Sequence, residues 1–102
     1  MILLQVVIQP DASAEIEAAV DYYAWKVSEA LAEQFVTEFQ AACAILARRP
    51  GMGSLRFAHL LEGRQLRTWS LRRFPYRLFY VVEADMLNIV GVEHQRRDTM
   101  PT

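Results

Sequence analysis

Phe74-Pro75-Tyr76-Arg77-Leu78-Phe79-Tyr80-Val81-Val82 is the stretch on which the fold turns. Aromatic and β-branched residues fill it, as expected of a strand at the centre of a sheet. Alternation sends Arg77, Phe79 and Val81 to one face, and Tyr76, Leu78 and Tyr80 to the other. Just upstream, residues 66–71 alternate too, with Arg67, Trp69 and Leu71 opposed to Leu66, Thr68 and Ser70. Just downstream, Glu83-Ala84-Asp85 reads as a turn and residues 86–93 as a further strand. Three strands joined by short links make an antiparallel meander.

Farther upstream the period changes. Residues 2–8 are rich in Ile, Leu and Val and read as a strand buried on both faces, not as a secretory leader, because no basic segment or cleavage site accompanies them. Pro10 stops that strand. Asp11 or Ser13 then caps a helix whose stripe is Ile16, Val20, Tyr23 and Val27. Ser28 caps a second helix, along which Leu31, Phe35, Phe39, Ala42 and Leu46 recur at helical spacing until Pro50, Gly51 and Gly53 end it. The short break predicts an antiparallel helical hairpin. Residues 54–65 have no clear period, and Gly63 marks a turn. The expected fold is α+β: an N-terminal strand, a helical hairpin, then a three-stranded meander, with the helices on one sheet face.

Residues 1–102 read as one domain, 53% hydrophobic. No apolar run approaches the roughly 18 residues of a membrane span, and a cytoplasmic location is expected. The single cysteine, Cys43, falls in a helical pattern and reads as a small core residue. The net charge of −1 hides an asymmetry. Residues 1–47 carry seven acids and one base, whereas residues 48–102 carry ten arginines, no lysine and five acids. An arginine-rich half suits an acidic or polyanionic partner through planar, bidentate contacts, and equally suits a solvated face with surface ion pairs.

Most catalytic chemistries find no footing. The glycines lack the lysine partner of a phosphate loop. His59 and His94 lie far apart without ligand-like neighbours, so neither a metal nor a cofactor is expected. Glu15 and Glu17 read as solvated. The basic half remains. Arg77, inside the expected central strand, either projects from the open sheet face or pairs with Glu62, Glu93 or Asp98. Strand ends meet in an antiparallel sheet, so Arg77, His94, Arg96 and Arg97 can form a cluster. There arginines would steady a phosphate and His94 would move a proton.

Arg73-Phe74-Pro75-Tyr76-Arg77-Leu78-Phe79-Tyr80, followed by His94-Gln95-Arg96-Arg97-Asp98, resembles the ParE/RelE toxin superfamily, and ParE-like members in particular. Ala18-Ala19-Val20-Asp21-Tyr22-Tyr23, then Phe35 and Phe39, then Pro50-Gly51-Met52-Gly53 fit it in order, so the resemblance spans nearly the whole chain. It implies the toxin of a type II toxin–antitoxin system, of the kind that stabilises plasmids, neutralised by a ParD-like antitoxin. ParE-like members inhibit DNA gyrase without catalysis. RelE-like members cleave messenger RNA on the ribosome.

For the RNA-cleaving branch, the resemblance maps phosphate-holding arginines onto Arg77 and Arg96. After Arg97 comes Asp98-Thr99-Met100-Pro101-Thr102, without that branch's tyrosine or histidine, and Arg56, His59 and Arg64 stand where it carries lysines. These departures favour the ParE-like branch. The expected site residues are Arg67, Arg73, Arg77, Arg96 and Arg97 for a target or phosphate, and Tyr23, Val27, Phe35 and Phe39 for the antitoxin. Arg77, His94 and Arg96 are the catalytic candidates if the chain cuts RNA.

Overall fold

The computed structural model describes residues 3–95. Strand β1 (Gln5–Ile8) leads into helices α1 (Pro10–Lys26) and α2 (Glu29–Arg48), and these into strands β2 (Arg67–Ser70), β3 (Tyr76–Glu83) and β4 (Met86–His94). The sheet order is β1-β4-β3-β2, antiparallel except for β1, which runs parallel to β4. The fold is α+β, with the expected hairpin and meander in place.

Local signals explain most element ends. The Ser28 hydroxyl accepts from the Leu31 amide at 3.1 Å and caps α2, as its sequence predicts. At α1 the expectation of an Asp11 or Ser13 cap is corrected. Pro10 occupies the first helical turn, where a missing N–H costs nothing, and Gln9 is the residue before it. The Gln9 side chain is occupied elsewhere, its Nε2 donating to the side-chain Oδ1 of Asn88 at 3.2 Å. The N-terminal strand is also corrected. It is an edge strand paired with β4: Leu4 and Val6 pack against the helical core, while its place at the rim leaves Gln5 and Ile8 exposed.

The hairpin packs on the face that carries Leu78 and Tyr80. Phe35, Leu46, Leu78, Tyr80, Leu87 and Ile89 are fully buried there. On the opposite face, Leu66, Phe79 and Val81 form a smaller core, covered by Phe57 and Leu61 from the segment before β2. The alternation expected for β3 therefore holds on both faces.

One tether joins the end of α2 to the sheet. The Tyr80 hydroxyl donates to the Pro50 carbonyl at 2.5 Å and accepts from the Gly53 amide at 2.9 Å. The Arg67 guanidinium donates to the Gly53 and Gly51 carbonyls at 2.8 and 3.3 Å. Burial raises the Tyr80 phenol above its ordinary range, while the Gly53 amide and nearby Arg67 pull the other way. A Cβ on Gly53 would lie 2.4 Å from the Tyr80 oxygen, whereas one on Gly51 would meet nothing within 4 Å. Gly53→Ala is therefore expected to destabilise the fold by about 1–3 kcal/mol. Gly51→Ala should be close to neutral, and midpoints of urea denaturation compare the two.

Candidate partner-binding site

The bulge in β4 decides which side chains share a face. Phe79 pairs with Gly91 but Tyr80 pairs with Ile89, so Val90 is an extra residue. The parity of β4 changes there. Leu87 and Ile89 point to the helices before it, and Val92 and His94 after it. His94 lies opposite Tyr76, its ring 5.0 Å from the tyrosine ring, on the helical side. Arg77 lies opposite Glu93 on the other side, with its guanidinium 5.0 Å from the centre of the Phe57 ring. The expected cluster of Arg77 with His94 is thus corrected: the sheet stands between them. Arg96 and Arg97 lie outside the described residues.

The remaining arginines are dispersed. Arg67 is half-buried in the tether. Arg73 is exposed and shares a shallow hollow with Glu33 and Glu38 of α2. Arg64 pairs with Glu83 at 2.8 Å. Among the described residues no group of histidine, cysteine and acidic side chains could hold a metal ion. No described helix is long and apolar enough to cross a membrane.

What the structure does assemble is a groove of about 730 Å³ between α1 and the second half of β4. Glu15, Ala18, Ala19, Tyr22 and Tyr23 line one wall, and Tyr76, Val92 and His94 the other. The groove exists because β1 pairs with β4 only as far as Ile89, after which the chain turns into α1. Beyond that point no strand among the described residues lies along the outer edge of β4, and the Glu15 carboxylate accepts from the Val92 amide at 2.7 Å. Glu15 was expected to be solvated; it holds the helix to the strand. Its signal lies in spacing, since Glu15, Ala18, Ala19 and Tyr22 recur at three and four residues beside the core stripe.

The floor is aromatic. Tyr23 packs on Tyr22, Phe35 and Phe74 with centroids 5.2–5.8 Å apart, and Tyr76 packs on Phe35 at 5.2 Å. Burial raises the Tyr23 phenol above its usual range, with Tyr76 and Tyr22 adding to the shift. Phe35 and Phe39 are core residues, 0% and 5% exposed, and Tyr23 is nearly so. Phe35 thus supports the groove from beneath through Tyr23 and Tyr76, while Tyr23 itself lines the wall. Val27 lies past the end of α1 and is 59% exposed, and Tyr22 and Trp25 beside it are 54% and 86% exposed. Sequence reasoning missed both aromatics because they fall off the core stripe.

Two helices on one face of a four-stranded mixed sheet form the frame of the toxin superfamily that the sequence resembles. The family model for the ParE toxin of the type II toxin–antitoxin system parDE matches residues 6–99, and the chain belongs to this family. A solved structure described as the chromosomal ParDE toxin–antitoxin system from P. aeruginosa superposes with a TM-score of 0.73 at 20% identity. The match covers 90% of this chain and 96% of that one, and it establishes the shared fold. No curated protein sequence matches the chain.

Two expectations follow. Glu15→Ala should cost about 1–3 kcal/mol, as for a lost hydrogen bond to a charged group. Glu15→Gln, which keeps an acceptor, should cost less, and chemical denaturation measures both. Burial pushes the Cys43 thiol up to about 11, against 9.0 for a free thiol. It should resist alkylation at pH 8 until the chain unfolds. The unfolded chain loses this proton first, so the thiol's contribution to stability is full below pH 9 and is lost as pH rises toward 11.

Proposed function

We propose that this toxin inhibits DNA gyrase by binding it, without catalysis, and is held inactive by a ParD-like antitoxin seated in the groove between α1 and β4. The observation that carries the first part is the separation of Arg77 from His94 by the sheet. A ribonuclease needs phosphate-binding and proton-transferring groups within reach of one phosphodiester. The two candidates here face opposite ways.

The second part rests on the groove's chemistry. Its apolar and aromatic walls take the side chains of an amphipathic segment. Exposed Tyr22, and Val27 just past the end of α1, belong to those walls. Acids on the antitoxin would find the arginine-rich half of the toxin, which speeds encounter. A cytoplasmic site of action accords with a gyrase target.

Supercoiling by purified gyrase, run beside cleavage of a message on programmed ribosomes, tests the target. Inhibited gyrase with intact message is the expected result. Cut message with unaffected gyrase would overturn the proposal. For the groove, Tyr22→Ala and Val27→Asp are each expected to weaken antitoxin binding about tenfold or more, as for loss of an interface anchor. Titration calorimetry measures this, and unchanged affinity in both variants would move the antitoxin to another surface.

A further inference from the structure

The far end of α2 carries a surface that the groove leaves unused. A helix of 20 residues is about 30 Å long, so its C-terminus stands well away from the hairpin tip. From residue 39 to residue 61 the charged side chains are Arg48, Arg49 and Arg56, with no acid among them. All three are exposed, and none makes an ion pair among the described residues. Beside them Met52 and Leu55 are 47% and 43% exposed. Favourable interaction with the helix dipole accounts for Arg48 and Arg49 but not for the two apolar side chains.

The segment that presents them is stiff. The Tyr80 and Arg67 hydrogen bonds hold Pro50, Gly51 and Gly53. Ser54 and Thr68 exchange two backbone hydrogen bonds at 2.9 Å. The Ser54 hydroxyl accepts from the Arg56 amide at 3.1 Å. A loop already held in one conformation loses little freedom on binding. Arginine and methionine are enriched where proteins meet other proteins.

We infer that Arg48, Arg49, Met52, Leu55 and Arg56 form a second docking surface, through which the toxin engages its protein target, and that the matching target surface is acidic and bears apolar side chains. This rests on the reading that the toxin acts by binding a protein. Charge complementarity calls for acids. A nucleic-acid backbone would satisfy the arginines yet leave Met52 and Leu55 facing nothing apolar, which is why a protein is favoured.

The test uses the full chain carrying Arg48→Glu with Arg49→Glu, and separately Met52→Ala with Leu55→Ala. Arg72→Glu serves as a charge control, an exposed arginine in the turn before β3. Growth arrest on induction without antitoxin, gyrase inhibition, antitoxin affinity and binding to a short DNA duplex are measured for each. Both surface variants are expected to lose growth arrest and to need at least tenfold more protein for half-inhibition of gyrase. Their antitoxin affinity should stay within twofold of wild type, which also shows that they fold, and Arg72→Glu should behave as wild type.

Growth arrest undiminished in both variants overturns the inference. So does duplex DNA binding by the wild type that falls in parallel with growth arrest, since the partner would then be nucleic acid. Wild-type toxin that leaves gyrase unaffected, while both variants lose growth arrest and bind no less DNA, refutes the gyrase target and retains the docking surface.

Discussion

Strand β3 has to be covered twice. Every side chain from Arg77 to Val81 is buried, so the strand cannot leave either face to water. The hairpin answers for Leu78 and Tyr80. The other face carries Phe79 and Val81, and among the described residues neither α1 nor α2 contributes to the core there. There the irregular segment before β2 folds back and lays Phe57 and Leu61 over the sheet. That segment can do so because its start is fixed to the end of α2, and Tyr80 does the fixing from the same strand. One strand therefore organises both layers, and the loop that an apolar face requires is also the loop that stiffens the basic end.

Elements with a strong local period were legible in the sequence. The hairpin, the Ser28 cap and the meander each rest on signals within a few residues of one another. The place of β1 was not, because parallel pairing with β4 joins residues about 80 apart and leaves no local mark. Its apolar run suggested burial on both faces. Val6 does pack against the helical core, yet a strand at the rim still leaves Gln5 and Ile8 to water. The start of α1 was misread for a related reason: Asp11 and Ser13 are good caps in isolation, but Pro10 had already entered the helix.

The site was harder to read than the fold. Phe35 and Phe39 repeat at the spacing that buries a helix face, and that spacing does not distinguish a core from an interface. The structure assigns them to the core and gives the accessible positions to Tyr22, Trp25 and Val27. Glu15 carries no shape in the sequence beyond its place beside the tyrosines. Only the meeting of α1 with the outer edge of β4 makes it a ligand for the Val92 amide. The arginines were visible as a composition and invisible as a geometry, since charge counts say nothing about which side of a sheet a residue takes. Gly91, a glycine within a strand and next to the extra residue, was the sequence mark of the bulge.

That bulge sets how far this scaffold stands from a different chemistry. Side chains in a strand alternate with a period of two, so one inserted residue inverts everything beyond it. With Val90 deleted and the register otherwise kept, parity alone would carry His94 across to the face of Arg77 and send Glu93 toward the helices. In evolutionary terms, a single codon in β4 decides whether this histidine and this arginine share a face of the sheet. Val92 would leave the core by the same step, so the extra residue holds a core side chain and the histidine together on the helical side.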